Sequence, residues 1–174
     1  RVFGSIPERT VAVTKDLLKG KRILIVDDEP DVIETLKDLL NMCSLVETYT
    51  FEDARDLLDR QSFDMAILDI MGVDGYKLLE IAKDKNVPAV MLTANALSVS
   101  HTVRSFKGGA AFYVPKEEII HIERFLKDVL VAREKGKNLR NRWLERMGPF
   151  YEKKFGPDWQ SDDEEFWEKF KSRL

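Results

Sequence analysis

Three aspartates, a threonine and a lysine each stand at, or just after, the end of a short apolar run in this sequence. They are Asp27 and Asp28 after ILIV (23–26), Asp69 at the end of DMAILD (64–69), Thr93 at the end of VPAVMLT (87–93), and Lys116 just after AAFYV (110–114). An oxygen-only set of ligands without Cys or His suits a hard cation, so these carboxylates favour Mg²⁺ over zinc.

Residues of these types could carry out the transfer of a phosphoryl group. Carboxylates gathered at one place repel one another, which raises a pKa unless a cation neutralises them. A lysine ammonium and a threonine hydroxyl can stabilise phosphoryl oxygens, and one carboxylate can act as the nucleophile and form an aspartyl phosphate. Phosphoryl transfer depends mainly on in-line positioning and charge neutralisation, so this set could suffice without a general base.

The apolar runs predict strands, and the amphipathic segments between them predict helices. The runs are short and apolar, which is typical of strands covered on both faces, and LVETYT (45–50) is a weaker strand. Five strands that alternate with five helices require right-handed βαβ crossovers and a parallel sheet with helices on both faces. We therefore predict a doubly wound α/β domain over residues 21–133. In such sheets, ligands bind at the carboxyl ends of the strands, where the strand order reverses.

The composition of the 174-residue chain excludes several classes of protein. The net charge of −3 argues against bulk nucleic-acid binding, and no apolar run approaches the ~18–20 residues of a membrane span. The single cysteine, Cys43, excludes an intramolecular disulfide and a cysteine-based zinc site, which fits a reducing cytoplasm. The first residues are not expected to form a signal peptide, because no continuous apolar stretch follows Arg1. Because it has no initial Met, the sequence is expected to begin within a longer or processed chain.

Four motifs of this sequence resemble, in order and in spacing, those of the receiver domain of two-component response regulators. They are RILIVDDEP, AILDIMGVDG, VMLTAN and FYVPKE, and the resemblance covers residues 21–133. The family implies a CheY-like, flavodoxin-like sheet of strand order 2-1-3-4-5, in which strands 1 and 3 lie side by side where the order reverses. It also implies a phosphohistidine donor on a sensor histidine kinase or a phosphotransfer protein.

The resemblance further implies a metal site around the phosphoacceptor. Asp69 would accept the phosphoryl group. Asp28 would bind Mg²⁺ directly, and Asp27 would help to hold the ion through water. The backbone carbonyl of Met71, two residues past Asp69, would be a further ligand.

Three other residues would then respond to phosphorylation. By resemblance, Lys116 contacts the phosphoryl group, Thr93 supplies the switch hydroxyl, and the Tyr113 ring follows the movement of Thr93. The expected protein is a phosphoacceptor and not an enzyme, apart from Mg²⁺-dependent self-phosphorylation and dephosphorylation. Its output would be a change on the face formed by the fourth strand, the fourth helix and the fifth strand, which would bind a partner or form a homodimer, without a DNA-binding output domain.

Two departures from the family pattern keep an alternative open. The segment from Asp69 to Gly75 is shorter than the common form, and Glu117 stands where the family usually has proline. The alternative is a pseudo-receiver that acts as a constitutive interaction or dimerisation module.

Residues 1–20 form a short lead, and residues 134–174, here called the C-terminal extension, follow the receiver region. The extension holds all three tryptophans, and nearly half of the aromatic residues of the chain. We predict a helix over 137–147, an irregular connection around Gly148–Pro149, and a helix over 161–172 that starts with a capping box of Ser161 and Glu164. A segment this short must bury its aromatic residues against the receiver or a second copy, or present them to another protein. Its basic residues leave DNA binding as a third, less favoured interpretation.

Overall fold

Five parallel strands form the single sheet of the computed structural model, which describes residues 17–94 and 98–172. The strands are β1 (Arg22–Val26), β2 (Ser44–Thr48), β3 (Met65–Asp69), β4 (Ala89–Thr93) and β5 (Phe112–Pro115). Their order in the sheet is β2-β1-β3-β4-β5, so β1 and β3 are neighbours and the strand order reverses between them. This confirms the predicted fold class and strand order.

In the described residues, seven α-helices surround the sheet or follow it. They are α1 (Pro30–Leu39), α2 (Phe51–Arg60), α3 (Gly75–Asp84), α4 (Val99–Lys107), α5 (Ile122–Lys135), α6 (Leu139–Phe155) and α7 (Glu164–Ser172). Short 3₁₀ segments cover Lys116–His121 and Ser161–Asp163. None of the helices in the described part of the chain is both long enough and apolar enough to cross a membrane.

The core lies on both faces of the sheet. Every residue of β3 and β4 is buried, which explains why these strands are continuous apolar runs without alternation. The helices contribute one apolar face each, for example Ile33 and Leu36 of α1 and Phe125 and Val129 of α5. Residues 1–16, most of the predicted lead, are outside the described residues, whereas Leu18 is fully buried.

The predicted irregular connection around Gly148–Pro149 is wrong, because α6 continues through both residues. A proline inside a helix lacks an N–H donor and clashes with the preceding turn, which costs about 3 kcal/mol or more. The side chains of Trp143, Met147 and Tyr151 recur every four residues and are fully buried. Because one continuous helix is needed to bury this stripe against the sheet and α4, packing outweighs the local signal for a break.

The predicted capping box is also wrong. Ser161 lies in the 3₁₀ segment, and α7 begins at Glu164. The Asp163 carboxylate instead accepts a hydrogen bond of 3.1 Å from the Phe166 N–H, which is the third residue of α7. Asp163 is therefore the N-cap, a position at which aspartate is as favourable as serine.

Candidate functional site

Three carboxylates meet at the carboxyl ends of β1 and β3. The oxygens that Asp27, Asp28 and Asp69 can offer to one ion all lie within 4.8 Å of one another, and we call these residues the acidic cluster. Asp27 and Asp69 are buried and Asp28 is exposed. The cluster exists because β1 and β3 pair directly, with Val26 opposite Leu68. The topology thus brings together acids that are far apart in the sequence.

Lys116 closes the cluster from the end of β5. Its Nζ lies 2.9 Å from Asp27 Oδ2, 3.4 Å from Asp69 Oδ1 and 2.9 Å from Glu29 Oε1. Sequence reasoning misses Glu29, whose only signal is its position directly after the Asp27–Asp28 pair. Its carboxylate competes with the acidic cluster for the same ammonium group.

The charges at this site perturb one another strongly. Burial, and next the charge of Asp27, raise the pKa of Asp69 to about 6 despite the opposing effect of Lys116. Burial also raises the pKa of Asp27, against hydrogen bonds from the Glu29 N–H and from Lys116. Burial would lower the pKa of Lys116, but Glu29, Asp27 and Asp69 together raise it to about 12. The cluster therefore holds more negative charge than one lysine neutralises, which favours binding of a cation.

The loop after β3 approaches the cluster closely, and glycine makes this possible. Gly72 has a φ of +58°, and a Cβ atom there would lie 2.4 Å from Asp28 Oδ2. A Cβ atom at Gly75 would lie 2.0 Å from the Asp69 carbonyl oxygen. Directly before Gly72, the Met71 side chain is exposed, and its carbonyl accepts a hydrogen bond from the Val73 N–H.

A divalent cation fits the residues that are present. Three carboxylates converge without a thiol or imidazole, which is the donor set that Mg²⁺ prefers over softer metals. The contact of Gly72 with Asp28 shows that the shortened loop packs directly against one carboxylate of the cluster.

Thr93 ends β4, one residue past the position that pairs with Asp69, and Tyr113 lies on the next strand, β5. Thr93 is buried, and its hydroxyl donates a hydrogen bond of 3.3 Å to the Ala94 carbonyl. Tyr113 pairs with Met91 in the β4–β5 register, so its side chain is on the same face as Thr93, two residues further along β4. The Tyr113 ring is fully buried, and its hydroxyl has no hydrogen-bond partner among the described residues.

The described arrangement matches a known family of signalling proteins. The family model for the response regulator receiver domain matches residues 23–128, which is more than half of the chain. The chain belongs to the response regulator receiver domain family. Its members are signalling phosphoacceptors of two-component systems, and the motifs quoted above lie inside the matched region or just before it.

Relatives from bacteria and plants match slightly more than half of this chain. A two-component response regulator of Arabidopsis thaliana, ARR18, is 35% identical over 103 residues, which cover 56% of this chain and 16% of that protein. The heme response regulator HssR of Staphylococcus aureus (strain Newman) is 36% identical over 99 residues, which cover 53% of this chain and 43% of that protein. The matched region thus spans less than half of each relative.

Solved structures agree with this assignment. A CheY-like receiver domain protein of Methanospirillum hungatei JF-1 superposes with a TM-score of 0.58 at 27% identity, over 68% of this chain and all of that chain. The response regulator DrrB of Thermotoga maritima, described as an OmpR/PhoB homologue, has a TM-score of 0.53 at 25% identity, over 62% of this chain and 53% of that chain.

Proposed function

We propose that this chain is a response regulator that accepts a phosphoryl group on Asp69 and thereby switches protein–protein interactions. The observation that supports this most directly is the position of Asp69. It ends a central strand, lies in the acidic cluster, and has a lysine ammonium 3.4 Å from its carboxylate. These are the groups that transfer of a phosphoryl group to a carboxylate requires.

In the proposed reaction, an Asp69 carboxylate oxygen attacks the phosphorus atom of a donor phosphohistidine. The phosphorus–nitrogen bond breaks, the imidazole leaves with the bonding electron pair and takes up a proton, and an acyl phosphate forms on Asp69. Mg²⁺, held by Asp27, Asp28, Asp69 and the Met71 carbonyl, would neutralise the phosphoryl oxygens. Lys116 is already beside Asp69 and can exchange its carboxylate partners for a phosphoryl oxygen.

Thr93 and Tyr113 would transmit the change. The Thr93 hydroxyl now donates only a long hydrogen bond to the next carbonyl along the chain, so little is lost when it turns towards a phosphoryl oxygen. Phosphorylation would thus shift a pre-existing equilibrium between two arrangements of β4, α4 and β5.

We also propose that this stretch of chain acts in the cytoplasm through protein partners and not through duplex DNA. The extension carries nearly as many acidic as basic residues, and four of its basic residues form ion pairs. The pairs are Arg142 with Glu145, Arg146 with Asp128, Lys154 with Glu117, and Lys169 with Glu165. Such a surface offers little net attraction for phosphates.

A sensor histidine kinase or a phosphotransfer protein would be the phosphoryl donor. Measurement of the molecular mass in solution, with and without beryllofluoride, tests whether the chain forms a homodimer.

Mass spectrometry tests the assignment of Asp69. Incubation with acetyl phosphate and Mg²⁺ should raise the mass by one phosphoryl group, and Asp69→Asn should abolish the increase. Asp84→Asn, which changes an exposed acid at the end of α3, is the matched control and should be labelled normally. Labelling of the Asp69→Asn protein would refute the assignment. Absence of labelling in the unaltered protein, together with no response to Mg²⁺, would favour the pseudo-receiver.

A further inference from the structure

The C-terminal extension covers the face on which the output of the receiver was expected. The Trp143 indole N–H of α6 donates a hydrogen bond of 2.8 Å to the Tyr113 carbonyl of β5. The Trp143 ring also meets Phe106 of α4, with 5.2 Å between ring centroids. Arg146 of α6 binds both carboxylate oxygens of Asp128 in α5, at 2.9 and 3.2 Å. The extension is thus attached to α4, β5 and α5 together.

This attachment has the character of a protein core. Five side chains of the extension are almost completely removed from solvent: Trp143, Met147, Tyr151, Trp167 and Phe170. A second copy or another protein cannot reach β5 or the inner face of α4 while these side chains are in place. The Tyr113 ring, which lies beneath this layer, likewise has no open path to the surface.

A series of buried hydroxyl groups leads from the phosphoacceptor site into the extension. The first member is Thr93, on the same face of the sheet as Tyr113. The α4 helix, which carries Thr102, packs directly against β5, which carries Tyr113. Burial raises the pKa of Tyr113, and the Thr102 and Thr93 hydroxyls oppose this rise. Thr102 of α4 is in turn bound to the Tyr151 hydroxyl of α6, at 2.6 Å. Thr102 and Tyr151 are both fully buried, so no solvent competes for this bond.

Within residues 17–94 and 98–172, the Tyr113 hydroxyl has no hydrogen-bond partner of good geometry. If Thr93 turns towards a phosphoryl group on Asp69, the Tyr113 hydroxyl keeps Thr102 as its remaining hydroxyl neighbour. Thr102 has a single O–H donor, and its bond with Tyr151 already uses part of its capacity. Tyr113 and Tyr151 would then compete for Thr102, so a change at Asp69 alters how α6 is held.

We propose that the C-terminal extension is the element that reads the phosphorylation state of Asp69, through Tyr113, Thr102 and Tyr151. This inference rests on the proposed function of Asp69. The surface that changes with phosphorylation is then the outer surface of α6 and α7, and a protein that recognises the phosphorylated state binds there. By linkage, the Thr102–Tyr151 bond opposes phosphorylation to the same extent that phosphorylation weakens the bond.

The tryptophans provide a built-in reporter, because all three lie in the extension and Trp143 packs against Tyr151 with 5.1 Å between ring centroids. Phosphorylation with acetyl phosphate and Mg²⁺ should change the tryptophan fluorescence and the amide hydrogen exchange of α6. Tyr113→Phe should take up the phosphoryl group, as judged by mass, without these changes. Tyr151→Phe keeps the ring packing and removes only the hydroxyl, so it should bind beryllofluoride about three- to tenfold more tightly.

Tyr49→Phe is the matched control, since it removes a hydroxyl next to β2, at the opposite edge of the sheet from β5, and should behave as the unaltered protein. Tighter beryllofluoride binding by Tyr151→Phe is not expected from a merely structural role of the hydroxyl. The inference is overturned if phosphorylation is complete by mass while fluorescence and α6 exchange stay constant. It is also overturned if Tyr113→Phe and Tyr151→Phe respond as the unaltered protein does. If no phosphoryl group is taken up at all, the proposed function fails first, and the inference with it.

Discussion

Trp143 should be the residue of the extension whose truncation destabilises the whole fold most. Its indole is fully buried between α4, α7 and Tyr151, with ring contacts to Phe106, Trp167 and Phe170. A buried tryptophan removes ~150–250 Å² from water, which at ~25 cal/mol per Å² corresponds to ~4–6 kcal/mol. Trp143→Ala also leaves the Tyr113 carbonyl without its donor, whereas partial collapse of the site reduces the loss. We expect a decrease of about 3–5 kcal/mol in the free energy of unfolding.

Urea unfolding at 25 °C, followed by far-UV circular dichroism and by the fluorescence of the remaining tryptophans, measures this decrease. The two signals should give the same midpoint, because the extension and the sheet share one core. Trp159→Ala is the matched control, since Trp159 also contacts Tyr151 and Trp167 but is only half-buried, and it should cost about 1–2 kcal/mol. A loss below about 1 kcal/mol for Trp143→Ala would refute the packing argument, and so would separate transitions for the two signals.

Three further predictions concern the acidic cluster and the attachment of α6. In EDTA at pH 8, Asp69→Asn should raise the free energy of unfolding by about 2–3 kcal/mol, because the folded state raises the pKa of Asp69 from 3.8 to about 6. This gain in stability should vanish as the pH falls towards 4, and equal stability of the two proteins at pH 8 would contradict the prediction. Gly72→Ala should weaken Mg²⁺ binding by about 10- to 100-fold in calorimetric titration, because the alanine Cβ would collide with the Asp28 carboxylate. Gly136→Ala is the control: Gly136 also has a positive φ but lies in open space, so this change should leave Mg²⁺ binding unaltered. A double-mutant cycle of Asp128→Asn and Arg146→Ala, measured on the free energy of unfolding, should give a coupling energy of about 1 kcal/mol. This coupling energy should fall in 1 M salt, and a value of zero would argue against the contact between α5 and α6.

The sheet and the acidic cluster could be predicted because their signals are local. A central parallel strand is buried on both faces, so β1, β3 and β4 are readable as unbroken apolar runs. The topology that follows from alternating strands and helices then fixes which strand ends meet. The strand assignments and this topology are sufficient to predict that four side chains meet at the carboxyl ends of the strands: Asp27, Asp28, Asp69 and Lys116.

The features that could not be predicted depend on contacts between distant parts of the chain. The residues near Glu29 do not indicate that its carboxylate contacts Lys116, because Lys116 follows β5, an edge strand separated from β1 by two other strands. The sequence around Pro149 favours a break, and only the burial of Trp143 and Tyr151 against α4 and β5 reverses that preference. The bond between Thr102 and Tyr151 likewise joins two elements that no periodicity relates.

Two energies determine how the extension can respond to phosphorylation: that of burying its aromatic side chains and that of a single buried hydrogen bond. Coupling between two sites in a protein is typically 1–3 kcal/mol, whereas burial of Trp143 alone contributes several kcal/mol and is accompanied by burial of Trp167, Tyr151 and Phe170. Phosphorylation therefore cannot expel the extension from α4, β5 and α5. It can, however, change a single buried hydrogen bond, because such a bond contributes about 0.5–1.5 kcal/mol. The extension should accordingly stay docked in both states and differ only in how α6 is held, so a partner of either state meets the outer surface of α6 and α7 and not a bare sheet edge.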